Sequence, residues 1–574
     1  MANKKSPASV MASPAAQPAL AAARLWPPRR VLVSVASLVA AIVLVRAEFL
    51  EPVVGSIVDQ AVSNIITLIL AFSALVSLLL WFVRESGHAQ PLKQMVLGGL
   101  LGAVVVAAGA LRIERVSGDL VPEFNWRWAP PRDRLLPKAD LVPKADGGSD
   151  ARPGAEPATT VPWSPTAEDF PRFLGPAGDA SLPGPAVAAD WQATPPREVW
   201  RRAIGAGWSG FAVCAGNAVT LEQRGDEEIV SCLSIVDGRQ AWAVPIRGRH
   251  ETVLGGVGPR STPTIRDGVV YAAGATGWLH AIDGPTGRVT WRKNVLDDLG
   301  IDADKHAAAV AWGRSGSPLV TDTLVIVPGG GPLEAGGGAV SLVAYDRATG
   351  ERRWTGGDEQ ISYASPELVT IGGREVVLTV NEASVAAHDP ETGKRLWSFP
   401  WPGHSNSDAS CSQPRVLADG RIFISKGYGV GAALFGVEPP AAGAADAGQP
   451  AYRPVWSQAG LLKTKFTNVV VHDGHAYGLS DGILECIRLA DGKRIWKGGR
   501  YGQGQVLRVG EHLLVQAESG EVVLVDCASA GHAVRGRLAA LDGQTWNNPT
   551  VVGDRLLVRN AAEAACYTLP VRNE

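Results

Sequence analysis

The 574-residue sequence is poor in methionine, with 3, and in cysteine, with 6. So few cysteines in so long a chain exclude a disulfide-dense scaffold, and without a Cys-x-x-Cys-His there is no covalent haem site. Charge of one sign is also missing. Lys and Arg number 54 against 56 Asp and Glu, a formal net charge of −2, which removes the electrostatic reason to expect a nucleic-acid partner. Gly429-Val430-Gly431 lacks the third glycine and following helix of a dinucleotide fingerprint, and Gly329-Gly330-Gly331 lacks the Lys-Ser/Thr of a phosphate loop. What is plentiful is glycine (66), proline (40) and tryptophan (18, against 11 Phe and 8 Tyr). The Gly and Pro content disfavours an all-helical protein and lacks the period of collagen. The length exceeds one ordinary core and calls for several segments or one repetitive fold.

Three apolar stretches lie in the first fifth of the chain, and they predict transmembrane helices at about 31–50, 62–83 and 95–111. A span needs roughly 20 apolar residues; the first is short unless it extends through Leu50 or Arg30 and Arg46 snorkel. Its other reading is a secretory signal cleaved near Val45-Arg46-Ala47. Both readings place the C-terminal part on the same side. Lys4, Lys5, Arg24, Arg29 and Arg30 make residues 1–30 a basic cytoplasmic leader, and Arg84 and Lys93 keep the second loop inside. Arg112 and Arg115 pull the other way. The expectation is a multi-pass inner-membrane protein whose large C-terminal part is extracytoplasmic, or periplasmic. Residues 113–168 then form a linker, with eight prolines between 130 and 165 and the duplication Leu135-Leu136-Pro137-Lys138-Ala139-Asp140, Leu141-Val142-Pro143-Lys144-Ala145-Asp146. At ~3.1 Å per residue in polyproline II, the proline-rich stretch could reach on the order of 100 Å.

From residue 169 to the C-terminus one pattern recurs: an apolar strand ending in Asp, a turn with Thr-Gly, three residues, then Trp. Trp291, Trp354 and Trp397 end the clearest copies, Trp242 and Trp496 looser ones, Trp456 a partial one, and Trp200 an orphan strand. A further turn from Asp526 to Gly536 lacks the Trp. The Trp intervals of 42, 49, 63, 43, 59 and 40 residues are those of a β-propeller built from four-stranded antiparallel blades. Eight turn-plus-strand units are counted. The first outer strand and the inner strands of the tail complete one blade, which closes the ring and removes two free edges. The expectation is all-β, an eight-bladed propeller after an N-terminal helical membrane segment, with seven blades as the alternative. The seven repeat tryptophans are expected to be structural, wedged between blades. Four other Trp lie in or beside the membrane segment.

The Asp-x-x-Thr-Gly-x-x-x-Trp signature differs from the WD40 signature. It resembles the tryptophan-docking repeats of quinoprotein (pyrroloquinoline quinone) alcohol dehydrogenases and of the outer-membrane-protein assembly factor BamB. The chain is more closely similar to bacterial PQQ-binding-like β-propeller repeat proteins. That resemblance rests on Phe170-Pro171-Arg172-Phe173-Leu174-Gly175-Pro176, Glu222-Gln223-Arg224-Gly225-Asp226-Glu227-Glu228, Gly258-Pro259-Arg260-Ser261-Thr262-Pro263-Thr264 and Ile424-Ser425-Lys426-Gly427-Tyr428-Gly429-Val430-Gly431. It covers about 170–574. It implies either a non-enzymatic assembly or binding scaffold with envelope-protein partners, or a dehydrogenase using PQQ with calcium, where Asp408 or Asp358 would serve as ligand or base. A ligand sensor is a third possibility. The quinoprotein dehydrogenases commonly place a vicinal disulfide against the quinone, and no two cysteines are adjacent here. That departure favours the scaffold, with no cofactor.

Cys232 and Cys486 fall in the small slot held by Ala281, Ala344 and Ala387, with Cys566 in the related strand of the tail, so packing explains them. Cys214 and Cys411 are less constrained. His472 and His475 read as turn residues, and Asp297, Asp298, Asp302 and Asp304 with His306 lack the Gly and Glu of an EF-hand. One constellation remains. Prolines 263, 318, 366, 414 and 549 precede inner strands, and three residues upstream of them lie Arg260, Ser315, Tyr363, Cys411 and Trp546. Comparable places give Trp208, Phe466 and Tyr501. Trp208, Arg260, Tyr363, Cys411, Phe466 and Trp546 are thus the candidate ligand-binding residues, at one mouth of the channel. Aromatics with a cation suit a flat anionic ligand or a peptide; the competing reading is that they fill a narrow channel.

Overall fold

A computed structural model describes residues 25–46, 60–136, 163–438 and 451–572. The chain forms two compact units. Among the described residues the first holds three helices, α1 (Arg29–Arg46), α2 (Gln60–Arg84, from Ile65 on) and α3 (Gln90–Ala110). Helices α2 and α3 are long and apolar enough to cross a membrane, and their apolar side chains, such as Phe72 and Val106, are left exposed. Lys93 on α3 is buried because its ammonium donates to the carbonyls of Val83 (3.1 Å) and Ser86 (2.8 Å), acceptors that the end of α2 leaves unpaired. Helix α1 stops at Arg46, so the expected extension to Leu50 and Ala47 of the cleavage motif lie outside the described residues, as does most of the basic leader.

The second unit begins with Gln60–Asn64 and continues from Leu111. The segment expected to start the linker is paired instead: β1 (Leu111–Val116) and β2 (Pro122–Trp126) form a hairpin. This corrects the linker's start, because alternating apolar residues flank a Ser117-Gly118-Asp119 turn that returns the chain. At its other end Trp163 is buried, its ring against the backbone of Gly284.

The described residues form eight blades, each built on four antiparallel strands, and Ser181–Leu182 joins one of them in parallel as a fifth strand. Blades 1–7 are Ala212–Arg247, Thr264–Asn294, Leu319–Gly356, Glu367–Pro400, Arg415–Gln458, Val470–Arg500 and Gln505–Ala539. In blade 8, Thr550–Val552, Arg555–Arg559 and Glu563–Thr568 take Arg197–Ala203 as their outer strand, with Cys566 opposite Trp200. The ring is therefore eight-bladed and closed by both ends of the domain.

The signature is a socket. Asp283, Asp346 and Asp389 accept from the backbone N–H of Thr286, Thr349 and Thr392, an Asx turn. The following Gly287, Gly350 and Gly393 sit at φ +71, +72 and +72, where a side chain is strained. A Cβ on Gly287 would lie 2.7 Å from Trp242 of the preceding blade. The indole N–H donates to the carbonyl three residues before the glycine: Trp242 to Gly284 (2.7 Å), Trp291 to Arg347 (3.0 Å), Trp354 to Pro390 (3.1 Å), Trp456 to Leu489 (2.8 Å), Trp496 to Ala528 (3.0 Å) and Trp200 to Ile235 (2.9 Å). Six of the eight blades are thus keyed to the next. Trp397 packs on Tyr452 at 4.4 Å; the turn that would receive its N–H falls in 439–450, outside the described residues.

Across the outer pair, these tryptophans oppose Cys232, Ala281, Ala344, Ala387, Leu434, Cys486 and Cys566. A register shift follows directly in every blade, the bulge that re-aims the indole toward the neighbouring turn. Blade 7 carries Gly536 at this position, opposite Leu524. Blade 8 has no turn joining its last two strands, so no socket waits for a Trp from blade 7. Trp191, 3% exposed, lies over Gly536 instead.

The segment Phe170–Leu182 crosses the channel. Phe170 bridges Val213 of blade 1, the Pro171 carbonyl accepts from Ile265 of blade 2, the Gly178 carbonyl accepts from Arg415 of blade 5, and Ser181–Leu182 runs parallel to the inner strand of blade 7. The phrase Phe170 to Pro176, quoted for the family likeness, is the start of this plug.

Candidate functional site at the channel mouth

Eight residues occupy the same place, four before the inner strand of each blade: Trp208, Arg260, Ser315, Tyr363, Cys411, Phe466, Tyr501 and Trp546. All but Tyr501 line one cavity of about 420 Å³, so the six candidate residues come together. Tyr501 turns aside and its hydroxyl bonds His532 Nε2 at 2.8 Å. The loop Ser117–Leu120 of the β1–β2 hairpin covers that side, with the Gly118 N–H donating to Glu518 at 2.7 Å. Phe173 of the plug, Trp312, Leu254 and Lys465 complete the wall. Of these, Trp312 is the one the sequence places near the mouth; spacing misses Phe173, Leu254 and Lys465, although Lys465 is the neighbour of Phe466.

The wall is aromatic and cationic. Trp546 packs on Trp208 and Phe466, each at 4.7 Å between centroids, and Trp312 lies 6.1 Å from Tyr363. Trp208 Nε1 donates to the Gly255 carbonyl at 2.7 Å and Trp546 Nε1 to Glu518 at 3.0 Å, which fixes both rings. Arg260 donates to the carbonyls of Gly255 (2.6 Å), Gly256 (3.3 Å) and Gly258. Burial lowers its pKa to about 10, against the pull of Tyr363 and Glu228, so it stays protonated at neutral pH. Burial also pushes the Cys411 thiol up to about 12, which leaves it an unreactive thiol. Among the described residues, no Asp or Glu lines the cavity, and Arg260 and Lys465 are its charged side chains.

The other sequence candidates lie elsewhere. Asp408 is within 3.5 Å of buried Lys426 and outside the cavity wall. Asp358 is exposed and pairs with Arg395 at 2.6 Å on an outer strand. His472 and His475 face each other across a hairpin turn. The Asp297–His306 segment forms two short helices capped by Asn294 and Asp302, with His306 against the Gly331 carbonyl at 2.9 Å. Among the described residues no cluster of three His, Cys, Asp or Glu could hold a metal, and all six cysteines are free.

Glu228, buried between blades 1 and 2, accepts from the Ala275 N–H at 3.1 Å. Burial raises its pKa to about 7, with the Ala275 N–H and Arg260 opposing. Folded protein therefore holds this proton where the unfolded chain has lost it, and stability falls as pH rises from about 4.5 to about 7. Glu228→Gln is expected to remove that slope and to be more stable than the parent at pH 8 by about 1–3 kcal/mol. Unfolding midpoints of both proteins between pH 5 and pH 8 check it; parallel profiles contradict it.

The family model described as outer membrane protein assembly factor BamB matches residues 188–306 and 225–498. The chain belongs to this family. BamB of Yersinia pestis is 24% identical over 328 residues, 55% of this chain and 70% of that protein. Methanol dehydrogenase [cytochrome c] subunit 1 of Paracoccus denitrificans is 30% identical over 141 residues, and quinohemoprotein alcohol dehydrogenase ADH-IIG of Pseudomonas putida is 27% identical over 196. The chain spans 21% and 25% of the length of these two dehydrogenases. Among solved structures, BamB of Moraxella catarrhalis covers 65% of this chain and all of its own at 15% identity and a TM-score of 0.45. Quinohemoprotein alcohol dehydrogenase of Comamonas testosteroni covers 71% of this chain and 81% of its own at 14% identity and 0.48. In this BamB-family chain two apolar helices long enough to cross a membrane precede the propeller.

Proposed function

We propose that this BamB-family chain is a membrane-anchored propeller that acts outside the cytoplasm as a non-enzymatic binding or assembly scaffold. Helices α2 and α3 cross the inner membrane, and the ring presents its mouth to envelope proteins. The observation that carries the reading is the chemistry of the mouth cavity: aromatic rings with Arg260 and Lys465, and no carboxylate among its described lining residues. Such a wall suits an apolar ligand or peptide with an anionic group. General acid–base chemistry on an alcohol needs a proton acceptor near neutrality, and Tyr363 is pushed well above its usual range by burial.

The dehydrogenase relatives raise PQQ with calcium as the alternative. Calcium takes six to eight oxygens, with carboxylates prominent among them. The cavity offers amides and hydroxyls of Asn406, Ser407, Asn468 and Asn548 beside two cations, a donor set that does not fit the ion. Cys411 is the one cysteine among the described lining residues, so no cysteine pair faces the cavity. Titration of the detergent-solubilised full chain with PQQ and calcium is expected to show no calcium-dependent binding and no dye reduction by alcohols. Saturable binding with alcohol-dependent dye reduction would overturn the scaffold reading.

A further inference from the structure

The β1–β2 hairpin starts at Leu111, one residue after α3 ends. Its register pairs Leu111 with Trp126, Arg112 with Asn125 and Ile113 with Phe124. Side chains alternate across a strand, so Leu111, Ile113, Phe124 and Trp126 share one face, and Arg112 and Asn125 the other. The apolar face is open: Ile113, Phe124 and Trp126 are 46%, 60% and 51% exposed. Trp128, 69% exposed, stacks on Trp126 with centroids 5.1 Å apart and planes at 16°. The ribbon's base is pinned by Arg112, which donates to the Ala129 carbonyl at 2.8 Å, and by Arg127, which donates to the Leu111 carbonyl at 3.0 Å. The seven repeat tryptophans of the same unit are largely covered, so these aromatic rings in water are an anomaly of composition and place.

We propose that this face is inserted into the phospholipid interface, making residues 111–128 an amphipathic foot on which the propeller stands. This rests on the membrane-anchored reading of α2 and α3. Continuity identifies the occupant: the ribbon begins at the residue after an apolar helix long enough to span, so a spanning helix sets Leu111 at headgroup depth. Composition agrees. Indole rings combine a large apolar body with one N–H donor and concentrate at that depth, and Arg112 and Arg127 beside them match phosphate. The two strands pair their inner backbone groups, and their outer edges stay at headgroup depth, where water satisfies them.

The test places the photoreactive residue p-benzoylphenylalanine at Phe124 or Trp128 in the full-length chain, reconstituted in vesicles of phosphatidylethanolamine and phosphatidylglycerol. Two reference positions accompany them, Val105 on α3 and Val236, 73% exposed on the propeller. After irradiation, peptides spanning 124 or 128 are expected to gain the mass of one phospholipid, as those spanning 105 do, while those spanning 236 do not. Lipid adducts at 105 with none at 124 or 128 overturn the foot and leave the anchor standing. Cross-linked dimers through 124 in place of lipid adducts assign the face to a second copy and overturn it as well. Loss of lipid adducts at every position overturns the anchor and, with it, this proposal.

Discussion

Trp242→Ala is expected to destabilise the chain by about 3–5 kcal/mol, the cost of emptying a large aromatic site that cannot collapse. The ring is 3% exposed, packs over Gly287 and donates to Gly284 of the next blade. Its removal therefore takes away a wedge and strands a carbonyl between two blades. Denaturant unfolding of parent and variant in the same detergent measures the loss. The socket side gives a paired result. Gly287→Ala faces both φ +71 and a 2.7 Å contact with Trp242, whereas Gly216→Ala faces φ +76 with nothing within 4 Å. The second is expected to cost only about 1–2 kcal/mol of left-handed backbone strain, and the first clearly more. Equal losses would show that the Trp–Gly contact contributes nothing beyond backbone conformation.

Arg559→Ala is expected to cost a similar amount, about 3–5 kcal/mol, because it breaks a buried charged network from one side. Arg559 is 1% exposed on the second strand of blade 8. It donates to the Thr220 hydroxyl (2.7 Å), the Leu221 carbonyl (2.7 Å) and the Gly205 carbonyl (2.9 Å), so it latches the closing blade to the first one. Its charge also acts on buried Glu222, whose carboxyl burial would raise; Arg224, Ser231 and Arg559 outweigh that and hold it below the ordinary range. A double-mutant cycle with Glu222→Gln is expected to return a coupling of about 0.5–3 kcal/mol. Strict additivity would mean that the two groups do not sense each other across the seam.

Much of this architecture is local and was therefore legible. The Asp, Thr and Gly of each turn bond within four residues, and alternation sets which strand positions are buried. Blade count, ring closure, the Cys-for-Ala slots and the scaffold role of the tryptophans follow from those short-range rules. Six mouth residues were also readable: a proline just before the inner strand fixes the register for Arg260, Tyr363, Cys411 and Trp546, and the repeat spacing extends it to Trp208 and Phe466. Tyr501 obeyed the same spacing and still left the cavity, since a loop from the distant β1–β2 hairpin fills its place. Asp408 and Asp358, the ligand or base that the dehydrogenase resemblance implies, face Lys426 and Arg395, contacts of 18 and 37 residues' separation that no local pattern carries.

The sequence by itself determined the repeat, its period and the chemistry each blade presents to the axis, because strands and turns encode their own geometry. Only the tertiary structure decided that Trp191 replaces the missing tryptophan over Gly536, that Phe170–Leu182 plugs the channel, and that the mouth gathers two cations without a carboxylate. Those outcomes depend on segments that meet after the ring has closed, and no local periodicity carries that information.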